Sequence, residues 1–384
     1  MAVAKDRWTI EDGSLTPSMK LKRFVIEARY SPALERWYGG AAGDLGGVSY
    51  PMTPAGLPAN IGSAMTLPIV LTHYGNADYL ERTLRCASLT NPSARRILIG
   101  DDSNRAAAAA QGWQHVDLDE IRSSLRDDFG KCFSHVQGKR HQHMKNGRDW
   151  LRYVFERWYV VEEFCRRAGI GRFWHFDSDV LMLEDLGQFE SELVARFEFT
   201  RQCNDTCLNG LVSLSTLTAF CSFVISLFQD PRVLQRQQQE FDTIHPRFAF
   251  TEMRAFQLFS DSPACQGRGA HLEGAIDGWW FDDSIRQDDD FEMTRLCPGG
   301  PMVKNVRFSG DGRFVGRRKG VEVRFATFNL SWVPTAVFDW ALACLERRSS
   351  DRADATETSI VESALPMLYR ARRLARYFSR GRGR

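Results

Sequence analysis

The 384-residue sequence lacks the features that mark several classes of protein. Its nine cysteines are an odd number, and their spacing matches no disulfide framework, so we expect thiols in a reducing compartment. The cysteines of CNDTC (203–207) have no second pair and no His-x-His partner, which argues against a zinc site of the usual spacing. The basic residues are unevenly spread, so the formal net charge of +2 says little about partners. Nucleic acid is not expected as a partner, because no base-stacking aromatic platform accompanies the arginines of the C-terminal tail.

Long hydrophobic runs are also missing, apart from one uncharged stretch. Residues 208–229 (LNGLVSLSTLTAFCSFVISLFQ) contain six Ser or Thr, an Asn-Gly turn and no flanking basic cluster. These features predict a buried strand followed by a buried helix rather than a membrane span. The N-terminus, MAVAKDRWTIEDG, lacks the apolar segment of a signal peptide, so we expect a cytoplasmic protein.

The composition is that of a globular protein, with 43% apolar and 26% charged residues. We divide the chain into an N-terminal extension that becomes rich in Gly and Pro, two halves of a large α/β unit, and a basic tail. These segments cover residues 1–65, 66–186, 187–345 and 346–384.

A strand–helix–strand pattern opens the α/β unit. LPIVLT (67–72) and RRILIG (95–100) are short apolar runs that predict buried strands, and apolar residues at 80, 84 and 87 predict an amphipathic helix between them. This order predicts a parallel βαβ unit with a right-handed crossover. We also predict strands at QHVDL (114–118), 172–176, 211–215, 303–308, 313–315 and 321–328, and helices over 148–168, 216–229 and 251–260.

Two carboxylates, Asp177 and Asp179, lie within the most strand-like run, RFWHFDSDVLMLEDL (172–186). In an extended strand both would point to one face, with Ser178 turned away. At the carboxyl end of a parallel strand they would face the crevice where α/β proteins bind ligands. Carboxylates without His or Cys favour Mg²⁺ or Mn²⁺, which in turn binds phosphate oxygens and stabilises a departing diphosphate. The alternative is a pair of capping or solvated aspartates.

With these residues the sequence resembles the nucleotide-sugar-binding half of GT-A fold glycosyltransferases. The resemblance lies in LPIVLTHYGNADYLERTLRCASL, ILIGDDSN and FWHFDSDVLML, which fall within 67–186, and it extends more loosely over 200–335. It implies an α/β fold with a Rossmann-type mixed sheet flanked by helices. It also implies a metal-dependent transfer of a sugar from a nucleotide-diphosphate donor to a hydroxyl of a glycan, polysaccharide or glycolipid.

The resemblance further implies roles for single residues at the donor site. Thr72, His73 and Tyr74 would line the base and ribose, Asp101 or Asp102 would meet the base, Asp177 would meet the ribose or the metal, and Asp179 would bind the metal. Relatives often have Asp-Asp-Gly-Ser where this chain has Asp-Asp-Ser-Asn. Two alternatives are a strand-end histidine for His73 and a plain Asx-type turn after Asp101.

The acceptor side offers further candidates. Glu252 begins an amphipathic helix and resembles the acid that such transferases place against the acceptor, where it would act as a general base; Asp283 is a second candidate. Trp279 and Trp280 would stack on a sugar. Asn209 begins the segment NGLVSLS (209–215), which resembles the turn and strand that line the donor sugar in these transferases. The alternatives are helix-dipole complementarity for Glu252 and core packing for the tryptophans.

A further departure from the relatives lies in RFATFNLSW, where Asn329 stands in place of their histidine. About ten residues before Asn329, the sequence has three consecutive basic residues, Arg317, Arg318 and Lys319. They would either neutralise the diphosphate or form a solvated hairpin tip.

The basic tail has seven arginines in its last fifteen residues, RARRLARYFSRGRGR. On a helix, Leu368, Leu374 and Phe378 would form an apolar edge beside a cationic face, which predicts peripheral contact with the anionic inner face of a membrane. The alternative is a disordered, solubilising tail.

Two other functions are compatible with FWHFDSDVLM. It fits the first motif of haloacid-dehalogenase-type phosphatases, with Asp177 as nucleophile and Asp179 as acid/base. However, that motif normally opens its domain, whereas here a βαβ unit precedes it. The second alternative is a sugar-binding relative that keeps the fold without turnover.

Overall fold

The computed structural model describes residues 66–141, 144–145, 148–265, 267–349 and 358–361. The N-terminal extension and nearly all of the basic tail lie outside these residues, and so do the predictions made for them. In chain order the strands are β1 (Ile69–Thr72), β2 (Arg96–Gly100), β3 (Gln114–Asp117), β4 (Met144–Lys145), β5 (Arg148–Asp149), β6 (Arg172–Phe176), β7 (Val180–Met182), β8 (Phe199–Arg201), β9 (Gly210–Ser213), β10 (Gly269–His271), β11 (Trp279–Phe281), β12 (Met293–Arg295), β13 (Met302–Lys304), β14 (Val306–Phe308), β15 (Phe314–Arg318), β16 (Val321–Asn329) and β17 (Thr358–Ser359). The helices are α1 (Leu80–Thr90), α2 (Arg105–Ala110), α3 (Ser124–Cys132), α4 (Trp150–Arg167), α5 (Gly187–Arg196), α6 (Leu214–Gln229), α7 (Pro231–Thr243), α8 (Glu252–Ser260) and α9 (Thr335–Ser349).

A seven-stranded mixed sheet forms the centre, in the order β10-β8-β9-β6-β1-β2-β3. Strands β1, β2, β3 and β6 are parallel to one another, as the βαβ pattern predicts, and β9 is antiparallel to β6. Helices cover both faces, because alternate residues of β1 enter different clusters: Val70 packs with α4 and α6, and Leu71 packs with α1 and α5. The predicted parallel-rich sheet flanked by helices is therefore confirmed.

A second sheet has the order β11-β16-β15-β14-β17, and β7 pairs with β16 beside it. The chain leaves the first sheet after β6 and joins the second at β7, where Val180 lies opposite Asn329. The predicted strand at 172–176 is present as β6, and the rest of the strand-like run 172–186 includes a second strand, β7, in the other sheet. Both strands are buried, so the apolar pattern continues across the break between them.

The long helices predicted over 148–168 and 216–229 are present as α4 and α6. Helix α4 begins after Asp149, whose side chain accepts a hydrogen bond from the backbone of Arg152, and it ends just before Gly169, which has a φ of +66°. The uncharged stretch forms β9 and α6, as predicted. No single helix of the described residues is long and apolar enough to cross a membrane; α6 and α7 pass that test only as a pair, bent by 84°. None of the nine cysteines is in a disulfide.

Candidate functional site

Two loops meet at the carboxyl ends of β1 and β6. His73, which follows β1, and Ser178, which follows β6, share a hydrogen bond of 2.8 Å between Nδ1 and Oγ. The hydroxyl of Thr83 on α1 donates to the carbonyl of Ser178, also at 2.8 Å. Ser178 is therefore not turned away from the site, as an extended strand would require, but joins the two loops.

Asp177 and Asp179 lie in a tight turn rather than on a strand. The amide of Val180 donates to the carbonyl of Asp177 at 3.0 Å, which closes the turn between β6 and β7. The side chain of Asp177 is 28% exposed, so it reaches solvent without projecting into it. The expectation that the two carboxylates share one face of a strand is wrong, yet the turn keeps them close enough for Asp177 to raise the pKa of Asp179.

Arg157 on α4 joins Asp177 to Glu252. Its Nη1 lies 3.0 Å from Oδ1 of Asp177, and its Nη2 lies 3.1 Å from Oε1 of Glu252. Burial opposes the charge of Arg157, but the two carboxylates outweigh it and raise the pKa of the guanidinium. Burial likewise opposes ionisation of Asp177, and Arg157, together with the side chain of Asn209, holds the pKa of Asp177 below its ordinary value. Asp177 is thus a stable anion.

Glu252 and Asp179 have the opposite electrostatics. Burial raises the pKa of Glu252 to about 7 against the opposing effect of Arg157. Its Oε2 is buried and has no hydrogen-bond partner among the described residues. Burial and the charge of Asp177 raise the pKa of Asp179 to about 6. The site therefore holds one firmly ionised carboxylate and two that titrate near neutral pH.

Ser331 links Asp179 to Asn329. Its Oγ lies 2.7 Å from Oδ2 of Asp179 and 2.7 Å from Oδ1 of Asn329. A hydroxyl has one proton, so it satisfies one of these acceptors at a time while Asp179 is ionised. Asn329 therefore contacts Asp179 through Ser331.

The acidic pair fits a divalent cation. Asp179 is ionised less readily because Asp177 is close, and a cation beside both would remove that repulsion. Among the described residues, no third His, Cys, Asp or Glu side chain joins these two in a ligand cluster. This donor set suits Mg²⁺ or Mn²⁺, which in proteins often bind one or two carboxylates, substrate phosphates and water.

A small cavity between the sheet and α4 is lined by one of the residues predicted to line the base and ribose. Thr72 lines it with Tyr153, and its Oγ1 is buried without a hydrogen-bond partner in the described part of the chain. Tyr74 packs against Tyr153, with ring centres 5.3 Å apart. The base-binding roles of Thr72 and Tyr74 stay predictions.

Asp101 and Asp102 have different surroundings. Asp101 accepts hydrogen bonds from the amides of Gly75, at 2.7 Å, and Ser103, at 3.0 Å. These bonds lower the pKa of Asp101, although burial opposes the shift, and they cap the short 3₁₀ turn Asp102–Asn104. Asp102 is exposed and pairs with Arg105 at 2.8 Å. The turn expected as the alternative is present, and Asp101 ties it to the loop after β1.

The residues predicted for the acceptor side lie in two different parts of the structure, the two tryptophans on β11 and the others nearer the acidic pair. Trp280 is buried beneath the guanidinium of Arg318, 4.6 Å from its ring centre, and Trp279 packs edge-on against Phe189. Both stand at the start of β11, where Trp279 pairs with Arg324. That is five residues, or about 16 Å of strand, from Asn329. Core packing, the alternative interpretation, holds for Trp280.

Asp283 and Asn209 lie nearer the acidic pair. Asp283 follows β11, in a segment that runs beside the end of β16: the amide of Ile285 donates to the carbonyl of Asn329 at 3.0 Å. Asn209 is buried beside Asp177. The roles predicted for Asp283 and Asn209 were not contradicted, and they stay predictions.

Sequence reasoning missed three residues of this site. For Arg157 the sequence did contain a signal, because a charged residue stands between residues of α4 that are buried. Its two partners, Asp177 and Glu252, are distant in the chain and could not be identified from that signal. Ser331 had no signal. Trp332 follows Ser331, is 88% exposed and has a φ of +65°, a conformation that is strained for a bulky side chain.

No protein-family model matches the sequence, and no curated protein matches it. Several solved structures are similar in part, and they include glycosyltransferases. Mouse xyloside xylosyltransferase 1, in its apo form, is 10% identical over 56% of this chain and 86% of that one, with a TM-score of 0.36. An active-site mutant of LgtC is 12% identical over 56% and 75%, with a TM-score of 0.33.

The glycosyltransferase GlyE of Streptococcus pneumoniae TIGR4 is 11% identical, with a TM-score of 0.31; the match covers 55% of this chain and 46% of that one. The overlaps are partial and the identities low. What the site can do therefore depends on its own geometry.

Proposed function

We propose that this protein is a glycosyltransferase that uses a nucleotide-diphosphate sugar as donor, a hydroxyl of a glycan or lipid-linked sugar as acceptor, and Mn²⁺ or Mg²⁺ at Asp177 and Asp179. One observation supports this most: the hydrogen bond of 2.8 Å between His73 and Ser178 fixes the loop after β1 against the acidic turn. A base-binding loop and a phosphate-binding turn have to be adjacent if one nucleotide is to contact both.

Each group of the site has a distinct role in this proposal. The metal, when bound, neutralises charge on the diphosphate as that group departs. Asp179 holds the metal, and Ser331 orients Asp179. Arg157 keeps Asp177 ionised and fixes Glu252 beside it. Glu252, with an unpaired oxygen, takes the proton of the acceptor hydroxyl as that oxygen attacks the anomeric carbon.

The pH dependence of the reaction is expected to report Glu252. A general base acts when deprotonated, so kcat/KM should rise about tenfold per pH unit below pH 7 and level above it. The Glu252→Gln variant should lose most activity, and its remaining activity should lack this limb. The raised pKa also means that the folded state binds the proton more tightly, so this residue's contribution to stability falls as pH rises from about 4.5 through about 7. An unchanged limb in Glu252→Gln would exclude this role.

In this proposal Trp332 contacts the acceptor sugar. It is exposed, and it follows the serine that binds Asp179. Trp332→Ala is expected to raise the acceptor KM about 2- to 10-fold at constant kcat, because a stacking contact contributes about 0.5–1.5 kcal/mol. Steady-state kinetics with a panel of sugar acceptors measures this. Val321→Ala, which removes an exposed apolar side chain at the end of β16 opposite to Asn329, is the control and should change nothing; equal effects in both variants would argue against a stacking role.

A thermal-shift panel of nucleotide sugars, each with and without Mn²⁺, tests the proposed function. A donor at a hundred times its dissociation constant stabilises the fold by about 2.7 kcal/mol, which gives a clear shift. We expect stabilisation by a subset of donors that share a base, and only with the metal. Transfer to an acceptor, or slow hydrolysis to the nucleoside diphosphate, should follow with the same donors.

The two other functions give different results in the same experiments. A phosphatase of the haloacid-dehalogenase type would be stabilised by beryllofluoride at Asp177 and would hydrolyse aryl phosphates. Such enzymes also use a lysine, whereas Lys304, which is fully buried, is paired with Asp282 and Asp289. A sugar-binding relative would bind glycan and turn over no donor. Contact of the tail with a membrane stays a prediction.

A further inference from the structure

A second group of ligand-type side chains lies beside the acidic pair, where β10 and β11 approach each other. His271 ends β10, Glu273 lies in the short turn Leu272–Gly274, and Asp283 follows β11. Nε2 of His271 is 3.4 Å from Oε2 of Glu273 and 3.4 Å from Oδ2 of Asp283. Three possible ligand atoms thus surround one point, and they come from three segments of the chain.

These separations suit ligands of one ion better than hydrogen-bond partners. A good N–H···O bond is about 2.7–3.2 Å long, so 3.4 Å is long for either contact. Ligands at about 2.0–2.2 Å from a tetrahedral zinc ion lie about 3.3–3.6 Å from one another. The distances from His271 to both carboxylates fall in this interval.

The other ring nitrogen of His271 is held as metal-binding histidines usually are. Its Nδ1 lies 3.0 Å from Oδ1 of Asp205, and in the neutral tautomer with the proton on Nδ1 the lone pair of Nε2 faces Glu273 and Asp283. A lone pair that faces two carboxylates is repelled unless a cation lies between them.

An unusual turn brings Asp205 to this place. Cys203, Asn204 and Asp205 have φ values of 55°, 56° and 64°, three successive residues in a conformation that side chains disfavour. The turn directs the amide of Asn204 to Oδ2 of Asp283 at 2.8 Å. Through these contacts the turn holds Asp205 and Asn204 against the same group of ligands.

The two carboxylates also have unused oxygens. Oδ1 of Asp283, a residue only 2% exposed, has no hydrogen-bond partner within the described ranges, and Oε1 of Glu273 has none there either. A buried carboxylate oxygen without a partner costs free energy, and an ion bound by these groups would remove that cost. This observation is independent of the distances among the ligands.

We propose that His271, Glu273 and Asp283 bind one Zn²⁺, with Asp205 as the carboxylate that orients His271 and a water in the fourth position. The site is separate from Asp177 and Asp179. It would hold the 203–207 loop against β10 and β11. Through that loop it supports the donor site, because Asn329 contacts the sulfur of Cys203 at 3.4 Å and Ser331 at 2.7 Å.

Metal content and cobalt substitution of the full chain test this proposal without any assay of sugar transfer. After dialysis against a chelator and then against micromolar Zn²⁺, we expect one zinc ion per chain by mass spectrometry. Co²⁺ in its place should give the visible absorption of a tetrahedral site. His271→Ala and Asp283→Asn should lose the ion, whereas Asp179→Asn, which removes the proposed donor-site ligand, should keep it.

Asp205→Asn guards against variants that fail to fold, since it keeps all three ligands and changes a residue that holds His271 and pairs with Arg201 at 3.2 Å. It should weaken zinc affinity about 10- to 100-fold. The proposal is overturned if the wild-type chain binds no zinc under these conditions, or if zinc stays bound in His271→Ala and Asp283→Asn. In that case the three carboxylates of Asp205, Glu273 and Asp283 surround a protonated His271. The proposed sugar transfer can fail while this zinc site is present, and the reverse also holds.

Discussion

Replacing Arg157 with methionine is expected to destabilise the fold by about 3–5 kcal/mol, because the change leaves Asp177 and Glu252 without their shared cation. Methionine keeps much of the aliphatic length, so the loss is mainly electrostatic. Urea unfolding at pH 8, where both carboxylates are ionised in the unfolded chain, measures the free energy of unfolding. The same variant should lose activity, since Glu252 loses the contact that fixes its position.

Two further variants separate this pair of contacts from a general effect of losing an arginine. Arg152→Met removes an arginine on the same helix that pairs with Glu156 but is 45% exposed, so it should cost about 1 kcal/mol or less. Glu252→Gln in the Arg157→Met background should recover part of the loss, because it neutralises one of the two buried charges. If Arg157→Met costs no more than Arg152→Met, the bridge has no part in holding the site.

Replacing Asp179 with asparagine is expected to weaken Mn²⁺-dependent nucleotide binding about 100-fold or more, because a direct metal ligand is lost. The same change should not reduce stability at pH 8. The pKa of Asp179 is raised to about 6, so the folded state disfavours its anion, and the resulting penalty grows as pH rises from about 4 through about 6. Asparagine removes that penalty while it keeps the shape and a contact to Ser331.

Isothermal titration with nucleoside diphosphates, with and without Mn²⁺, measures the first effect, and thermal unfolding measures the second. Asp128→Asn, on the exposed surface of α3, is the matched control and should bind like the wild type. A variant that binds as well as the wild type would remove Asp179 from the metal site. If Asp179→Asn loses binding because it unfolds, the expectation that this change does not reduce stability at pH 8 is wrong.

The parts of the fold that the sequence predicted are those with a continuous local pattern. Strands β1, β2 and β6 are unbroken apolar runs, since helices cover both faces, and α4 has a capped start and a glycine at its end. The break between β6 and β7 has no such signal, because both sides are buried. Whether the chain stays in one sheet is decided by β16, whose Asn329 pairs with Val180 from far along the sequence.

The same physical limit applies to the site. Two acids separated by one residue predicted a cation, and the loop after β1 was predicted to lie beside them. The cation that the structure supplies to Asp177 is Arg157, and its second partner, Glu252, is 95 residues away. The left-handed backbone of Trp332 and the meeting of His271 with Asp283 depend on how distant strands pair. The pattern of residues within one segment of the sequence therefore predicts neither the backbone conformation of Trp332 nor the contact between His271 and Asp283.

The most direct measurement is the anomalous diffraction of crystals grown with Mn²⁺ and the nucleoside diphosphate that the thermal-shift panel selects. The account predicts an anomalous peak within about 2.2 Å of an Asp179 carboxylate oxygen, in contact with the diphosphate, with the base against the loop that carries His73. A diphosphate bound elsewhere, or bound here with no metal beside Asp179, would contradict it.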